Sequence, residues 1–441
     1  MAREFEVKIE LKNRLLPALV VLLALLQLIA PYRGLMMLLV GLGGAWLIAY
    51  LWALSLAGGL RIQRERRFGW ARVGDQLVER FTLSNDGWAP AVWAEMDDQS
   101  TLPVYGASRV ANVGSYRSIR WHSKATCTLR GLFMLGPTSL RSGDPFALYR
   151  VTIHYPASAP LLVLPPIVPL PSIEVAPGGR SGEGRPRTNA PDRTVSAASV
   201  REYAPGDSLR WVHWPTSARR GSLYVRLFDG TPAGDWWILL DLDQRVQVGE
   251  GEDSTEEHGV ILAASLADRG LRSRRAVGLV AQGEDLAWLP PRAGDAQRLE
   301  ILRALAIASP GERSLAQLLA RVGSSLGQHD SLVIITAALS EDWIEALAPL
   351  LRRGCMPTVL LLDPTSFLEP GARRSPAMGD VREVVARLDD LKIARYVITK
   401  DLLGGADIEL GQQGRWEWRV LGTGHVAPVR QPHDMTWREL A

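Results

Sequence analysis

Two long apolar runs near the N-terminus constrain this chain of 441 residues more than any other feature. They extend from Leu15 to Tyr32 and from Leu35 to Leu60, and neither contains an acidic or a basic side chain. Each run reaches the roughly 18 apolar residues that indicate a helix able to cross a bilayer. A short turn around Arg33 joins them. The sequence therefore predicts a hairpin of two transmembrane helices in the lipid bilayer over residues 15–60, preceded by a segment at 1–14.

Two other interpretations of these runs are less favourable. A signal peptide would end at a small-residue cleavage site, whereas here a second apolar run follows at once. A buried hairpin of a soluble protein would carry Glu or Lys along one side of each helix, and these runs carry none. The membrane hairpin is therefore the favoured prediction.

Basic residues near the ends of the runs predict the orientation of the hairpin. They flank both outer ends, at Arg3, Lys8, Lys12, Arg14, Arg61, Arg64, Arg66 and Arg67, whereas the turn carries Arg33 alone. The positive-inside rule then places the N-terminus and everything after Arg61 in the cytoplasm, with the hairpin in the inner cell membrane. The two cysteines, Cys127 and Cys355, fall in different predicted domains, as expected in a reducing compartment.

The net charge of the chain argues against a nucleic acid partner. It is only +3, and much of the local basic excess lies beside the membrane at 61–67. Attraction to anionic lipid explains that cluster, so we expect no nucleic acid binding.

The cytoplasmic part of the chain divides by its patterns. Over 61–171, short β-prone runs alternate apolar and polar positions between turn residues, which predicts a β-sandwich-like domain. Residues 172–198 are rich in Gly, Pro, Arg and Ser and indicate a linker or long loop. From 199 to 410, Val/Ile/Leu-rich strands alternate with helices, one of them predicted from Asp342 to Arg353. This alternation predicts a doubly wound α/β domain, with a C-terminal strand and tail at 411–441.

The segment 201–229 combines a turn, a Trp/His cluster and an arginine pair directly before a strand. Its candidate structural or partner-binding residues are Arg201, Glu202, Tyr203, Pro205, Gly206, Asp207, Arg210, Trp214 and Arg219. One interpretation is a partner- or phosphate-binding surface around His213, Arg219 and Arg220. The other, favoured by near-balanced charge, is a structural latch on the domain edge with Trp211 and Trp214 anchored in the core.

This segment, with Arg130-Gly131 and Asp144-Pro145-Phe146 upstream and the α/β pattern downstream, resembles the bacterial family called domain of unknown function 58. The resemblance extends over nearly the whole chain. It implies two N-terminal membrane spans, a β-rich region and a von Willebrand factor A-like α/β domain. It also implies a MoxR-type AAA+ ATPase as protein partner, and hence a role in assembly or maturation of envelope or other protein complexes.

Two carboxylates leave the first predicted strand of the α/β domain, at Asp241 and Asp243. Ligands bind at the carboxyl ends of strands in such sheets, and paired carboxylates suit Mg²⁺ or Ca²⁺. The resemblance places Asp241 at the leading Asp of an Asp-x-Ser-x-Ser metal motif, with Asp243 and Arg245 at the two serine positions. Because a guanidinium competes with a cation for the same oxygens, we expect an Asp–Arg pair that closes the loop. A degenerate Mg²⁺ site at Asp241 and Asp243 is the alternative.

Catalytic signatures are missing from the sequence. His213 has no second His or Cys near it, and the sequence contains neither a Gly-x-Ser-x-Gly nucleophile elbow nor a Gly-x-x-x-x-Gly-Lys-Ser/Thr phosphate loop. We therefore expect a non-enzymatic, membrane-anchored protein-interaction module without a cofactor. The alternative is a divalent-metal-dependent adhesion or enzymatic domain, in which Thr336 supplies a third oxygen ligand.

Overall fold

A computed structural model describes residues 5–170, 173–176, 197–204, 212–228, 234–327, 330–355, 357–368, 379–401, 417–420, 426–430 and 438–439. The chain divides into two compact units. The first, here called the β unit, comprises Met1–Val168, Leu305–Ile307 and Asp407–Ala441. The second, the α/β unit, comprises Pro169–Ala304 and Ala308–Ala406.

The described elements follow one another in this order: β1 (Glu6–Leu11), α1 (Leu15–Ile29), α2 (Arg33–Gly59), β2 (Leu60–Arg66), β3 (Trp70–Arg72), β4 (Gln76–Asn85), β5 (Ala91–Asp98), β6 (Arg109–Val113), β7 (Arg117–Thr126), β8 (Gly131–Leu135), β9 (Thr138–Gly143), β10 (Tyr149–Tyr155), β11 (Ala159–Leu164), β12 (Ala197–Glu202), α3 (Trp214–Arg220), β13 (Tyr224–Phe228), β14 (Trp236–Asp241), α4 (Thr255–Arg272), β15 (Val277–Gln282), β16 (Leu286–Arg292), α5 (Asp295–Ala306), α6 (Leu315–Val322), β17 (Ser331–Thr336), α7 (Asp342–Glu345), α8 (Ala348–Arg352), β18 (Pro357–Leu362), α9 (Val381–Asp390), β19 (Ala394–Ile398), β20 (Glu417–Val420), β21 (Val426–Arg430) and β22 (Arg438–Glu439).

The two apolar runs form helices of unequal length. Among the described residues one helix, α2, is long and apolar enough to cross a membrane, with 27 residues and a mean hydropathy of 2.0. α1 has 15 residues and ends at Ile29, before Pro31, rather than continuing to Tyr32 as the apolar run suggests. The residue before a proline is disfavoured in the α region, which ends the helix early. At 1.5 Å per residue α1 is about 22 Å long, short of a hydrocarbon core of about 30 Å.

Among the described residues, four sheets belong to the β unit. Their strand orders are β1-β10-β9-β5-β6, β22-β2-β4-β7, β3-β11-β8 and β20-β21. All pairs are antiparallel except β3 with β11. The segment preceding α1 is therefore an edge strand, and the short β22 pairs with β2 from the other end of the chain.

A buried ion pair links two of these sheets. Arg64 of β2 donates to both carboxylate oxygens of Glu79 on β4, at 2.9 and 2.6 Å. It also donates to Asp98 of β5 at 2.7 Å. Arg64 and Glu79 are almost fully buried, so this bidentate contact compensates charges that would be costly alone.

The α/β unit is organised around a six-stranded sheet of order β16-β15-β14-β17-β18-β19. β16 is antiparallel to its neighbour, and the other pairs are parallel. Every residue of β14, β15, β17 and β18 is buried, as expected for strands covered on both faces. Gly259 brings α4 against Leu240 and Ile335 on one face, whereas α6, α7, α8 and α9 pack over Leu239 and Ile334 on the other.

Two local predictions differ from the structure. The helix predicted from Asp342 to Arg353 is split into α7 and α8, and Pro349 lies in the first turn of α8, where its missing N–H costs least. Within the predicted linker 172–198, Ile173 is buried, Glu174 N donates to the Tyr396 hydroxyl, and Ala176 N donates to Thr358 Oγ1. Residues 177–196 lie outside the described residues.

Candidate functional site

The candidate site lies where β14 ends, in the centre of the six-stranded sheet. Asp241 is the last residue of β14 and is 4% exposed. The neighbouring parallel strand β17 ends at Thr336, which is 1% exposed. Because the carboxyl ends of these parallel strands lie on the same side of the sheet, the Asp241 and Thr336 side chains come into contact. Thr336 is therefore part of the site.

Both carboxylate oxygens of Asp241 accept hydrogen bonds. Thr336 Oγ1 donates to Oδ2 at 2.6 Å, and the backbone N–H of Asp243 donates to Oδ1 at 3.1 Å. Burial nevertheless dominates and raises the pKa of Asp241 to about 6, and the charge of Asp243 adds to this rise. The two hydrogen bonds and Arg245 act in the opposite direction. Asp241 is therefore a carboxylate that titrates near neutrality.

Asp243 is held by Arg245 rather than left open. Arg245 Nε donates to Asp243 Oδ1 at 2.8 Å, and a terminal guanidinium nitrogen donates to Oδ2 at 2.6 Å. The Asp243 side chain is 6% exposed and that of Arg245 is 61% exposed. The Asp–Arg pair predicted for this loop is present, and it occupies both oxygens that a cation would use.

Backbone hydrogen bonds to Gly311 hold the loop after β14 in place. Gly311 N donates to Leu242 O at 2.9 Å, and Gln244 N donates to Gly311 O at 2.8 Å. Gly311 must be a glycine here, since an added β-carbon would lie 2.2 Å from the backbone carbon of Gly283. The carboxylates are thus held in a preformed turn.

The conspicuous segment 201–229 forms a hairpin with a short helix. Arg201 and Glu202 lie on β12, opposite Val225 and Tyr224 of β13, and Tyr203 N donates to Leu223 O. Pro205, Gly206, Asp207 and Arg210 lie outside the described residues, as does Trp211.

The tryptophan proposed as a core anchor is on the surface. Trp214 is 64% exposed at the start of α3, so that prediction is wrong for this residue. His213 caps α3 instead: its ring nitrogen accepts from Thr216 N at 3.3 Å. Among the described residues of this segment, the buried side chains are Val212, Ser217 and Val225.

Residues 199–381 match the family described as "Protein of unknown function DUF58", and this stretch contains both the hairpin and the Asp241 loop. Over this stretch, which is less than half of the chain, the protein is similar to the DUF58 family, and the stretch is called the DUF58 domain below.

Relatives of known sequence share parts of this chain. It is 31% identical to the uncharacterized protein YeaD of Bacillus subtilis over 150 residues, which are 34% of this chain and 36% of YeaD. It is 26% identical to the uncharacterized protein Rv1480 of Mycobacterium tuberculosis over 189 residues, 41% of this chain and 57% of that protein. The match thus covers less than two thirds of either relative.

The donor set of this DUF58 domain does not match a ready cation site. Within the described part of the chain, no group of three or more His, Cys, Asp or Glu side chains converges. Asp241 and Asp243 point into one loop, but Arg245 holds the second carboxylate through both oxygens. Cation binding here requires Arg245 to leave Asp243.

Two further residues of the DUF58 domain complete the site, and sequence reasoning missed both. Gln247 Nε2 donates to the backbone carbonyl of Asp241 at 3.1 Å, and Thr255 Oγ1 donates to Gln247 Oε1 at 2.7 Å. Thr255 is the first residue of α4, so this chain of hydrogen bonds ties the end of β14 to the next helix. The Ser254–Glu257 spacing marks a helix start in the sequence, but no local pattern reveals that Gln247 turns back to β14.

Proposed function

We propose that this DUF58 protein is a membrane-anchored, non-enzymatic interaction module that presents the strand-end loops of its α/β unit to a protein partner. The Asp243–Arg245 ion pair is the observation that carries the proposal. This ion pair neutralises the Asp243 carboxylate within the loop. It leaves the Arg245 side chain 61% exposed at the carboxyl ends of the strands, where such folds bind ligands. An exposed arginine on a preformed loop is a suitable anchor for a protein partner.

The anchoring part of the proposal rests on the apolar helices. α2 has the length and hydropathy of a membrane span. We propose that α1 and α2 enter the membrane as a hairpin, with the N-terminus and both units in the cytoplasm, because the basic residues flank its outer ends. The sheet order, with helices on both faces, supports a von Willebrand A-like fold for the α/β unit.

The partner that the family resemblance implies is a MoxR-type AAA+ ATPase. In this proposal the ATPase supplies nucleotide-driven work, and the membrane-anchored chain holds it near its client. The clients would be envelope or other protein complexes under assembly or maturation.

Affinity capture tests this partnership. The tagged full-length chain is recovered from detergent-solubilised membranes of its own organism, beside Arg245→Ala and, as a matched control, Arg395→Ala. Arg395 also pairs with an aspartate, Asp389, but lies on β19 at the edge of the sheet. We expect an AAA+ ATPase with the wild type and the control and its loss with Arg245→Ala. Repeated recovery of no AAA+ ATPase by the wild type would contradict the partnership.

A second candidate is a divalent-metal-dependent adhesion or enzymatic domain. Its support is the convergence of Asp241, Thr336 and Asp243 at one strand end. Calorimetric titration of Mg²⁺ into the purified full-length protein separates the candidates. Our proposal expects no binding by the wild type, whereas binding that Asp241→Asn abolishes would establish the metal site instead.

A further inference from the structure

The loops at one end of the β unit carry exposed large apolar side chains. Trp88, Val92, Tyr116 and Phe146 are 51, 55, 72 and 54% exposed. Trp88, Tyr116 and Phe146 lie in loops at 86–90, 114–116 and 144–148, and Val92 lies directly after the first loop, at the start of β5. These are called the collar loops below. Together these four side chains are called the collar below.

Strand pairing places the collar where the apolar helices leave the β unit. Leu60, directly after α2, pairs with Asn85, and Asn85 pairs with Arg117. In the other sheet, Leu11 of β1, shortly before α1, pairs with Tyr149. The collar loops adjoin Asn85, Arg117 and Tyr149, so they lie near the base of the helices.

The second half of α2 contacts this end of the β unit. Trp46 Nε1 donates to the Tyr149 hydroxyl at 2.7 Å. Trp52 Nε1 donates to Pro90 O at 3.1 Å, and its ring contacts Trp88 edge-on at 5.7 Å between centroids. Further along α2, Ala53 and Leu56 are fully buried in the core of the β unit.

These contacts shorten the part of the hairpin that is free to enter a bilayer. A β-carbon at Gly43 would lie 3.8 Å from Val20 Cγ1, so these two positions face each other and Leu15 lies level with Ile48. From that level to the tip the hairpin is about 22 Å long. A hydrocarbon core is about 30 Å thick, so about 8 Å of apolar thickness is missing.

We propose that the collar lies in the interfacial layer of an anionic phospholipid bilayer and supplies this missing thickness. The inference rests on the proposed membrane anchoring and adds that the β unit itself contacts lipid. Trp and Tyr favour the interfacial layer, where the ring meets acyl chains and the polar atom meets water.

Charge at this end of the β unit matches anionic headgroups. Among the described residues in or beside the collar loops, Arg14, Arg117 and Arg150 are exposed, Lys12 is exposed and paired with Glu10 at 3.1 Å, and Asp86 is the exposed acid. Exposed basic residues near such a surface attract anionic headgroups.

The Phe146 loop is built to hold its ring outward. The buried Asp144 accepts from Phe146 N at 2.8 Å through one oxygen and from Tyr149 N at 2.6 Å through the other. Leu148 O accepts from Lys12 N at 2.7 Å, which ties the loop to the segment entering α1. The backbone that carries Phe146 is therefore fixed next to the segment that enters α1.

Nitroxide labels at single introduced cysteines test the collar. Val92→Cys and Phe146→Cys are compared with Val104→Cys, a matched valine that is 89% exposed in the loop after Asp98, at the opposite end of β5 and about 20 Å away. The native Cys127 and Cys355 are buried and compete little for the label. The full-length protein is reconstituted in vesicles of phosphatidylcholine and phosphatidylglycerol, and collision with oxygen and with a water-soluble nickel chelate is measured.

We expect labels at 92 and 146 to be several-fold less accessible to nickel than the label at 104, and more accessible to oxygen. Equal nickel accessibility at the three positions would overturn the collar. Vesicle flotation separates this failure from that of the anchor: a protein that floats with water-exposed labels retains its anchor and loses the collar. A protein that does not float refutes both.

Discussion

Asp241 is a buried carboxylate at the strand-end site, and burial raises its pKa. Its position at the end of an apolar strand is evident from the sequence, and its contact with Thr336 follows from parallel pairing. The partner of Arg245 was less evident from the sequence. This residue pairs with Asp243, two positions away, because the tight turn directs both side chains to the same side.

The raised pKa of Asp241 predicts a pH dependence of stability. The native carboxyl titrates at about 6 against an ordinary value of 3.8, so the folded state holds a proton that the unfolded state has lost. Stability from this group is therefore greatest below pH 4 and is lost as the pH rises through about 6. The difference amounts to about 3 kcal/mol.

Denaturant unfolding of the full-length protein between pH 4 and 7 measures this contribution. We expect Asp241→Asn to remove the fall in unfolding free energy across that range. Thr336→Val deletes the hydroxyl donor that lowers the pKa of Asp241, so the pH midpoint of the fall in unfolding free energy should lie above pH 6 in this variant. A wild-type slope retained by Asp241→Asn would show that another group is responsible.

At the scale of elements, the β12–β13 hairpin with α3 has two sides of opposite character. Val225 is 2% exposed and Trp214 is 64% exposed. Which side of this hairpin is buried was not evident from the sequence, because a helix of seven residues has too few turns to show an apolar stripe. An apolar stripe was informative for a longer helix such as α4, which has 18 residues.

Paired substitutions separate a latch from a surface. We expect Trp214→Ala to change the unfolding free energy by less than about 0.5 kcal/mol. Val225→Ala should cost about 2 kcal/mol, since it removes buried apolar surface. Thermal unfolding of both variants provides the comparison. An equal cost for the two would restore the latch interpretation for Trp214.

At the scale of the whole molecule, the proposed membrane attachment depends on the apolar length of α2. Val40 lies within α2 and is 64% exposed, so a charge there would meet the hydrocarbon. We expect Val40→Arg to weaken insertion by about 2.5–3.5 kcal/mol. Alkaline extraction and flotation of membranes measure the loss.

Tyr32→Arg is the matched control for this charge. Tyr32 lies at the turn beside the native Arg33, where an additional arginine reaches the headgroups and should leave insertion unchanged. Retention of Val40→Arg in the membrane at the wild-type level would count against α2 as the anchor.

The sequence by itself determined those features that depend on local composition. Charge-free length identified the apolar helices, strand–helix alternation identified an α/β fold, and a long local signature indicated the family that residues 199–381 match. Each strand, helix or motif behind these signals spans at most a few tens of consecutive residues. The physical preferences that generate them act along the chain.

Only the tertiary structure decided which distant residues meet. It made Glu6–Leu11 an edge strand against β10, turned Gln247 back to Asp241, left Trp214 exposed and placed Trp88 against Trp52 of α2. Such contacts depend on how sheets stack and loops close, and many sequences satisfy the same local pattern with different partners. The position of Asp241 at the end of β14 could thus be predicted from the sequence. The hydrogen bonds of Arg245 to both oxygens of Asp243 and the surroundings of α2 could be determined only from the fold.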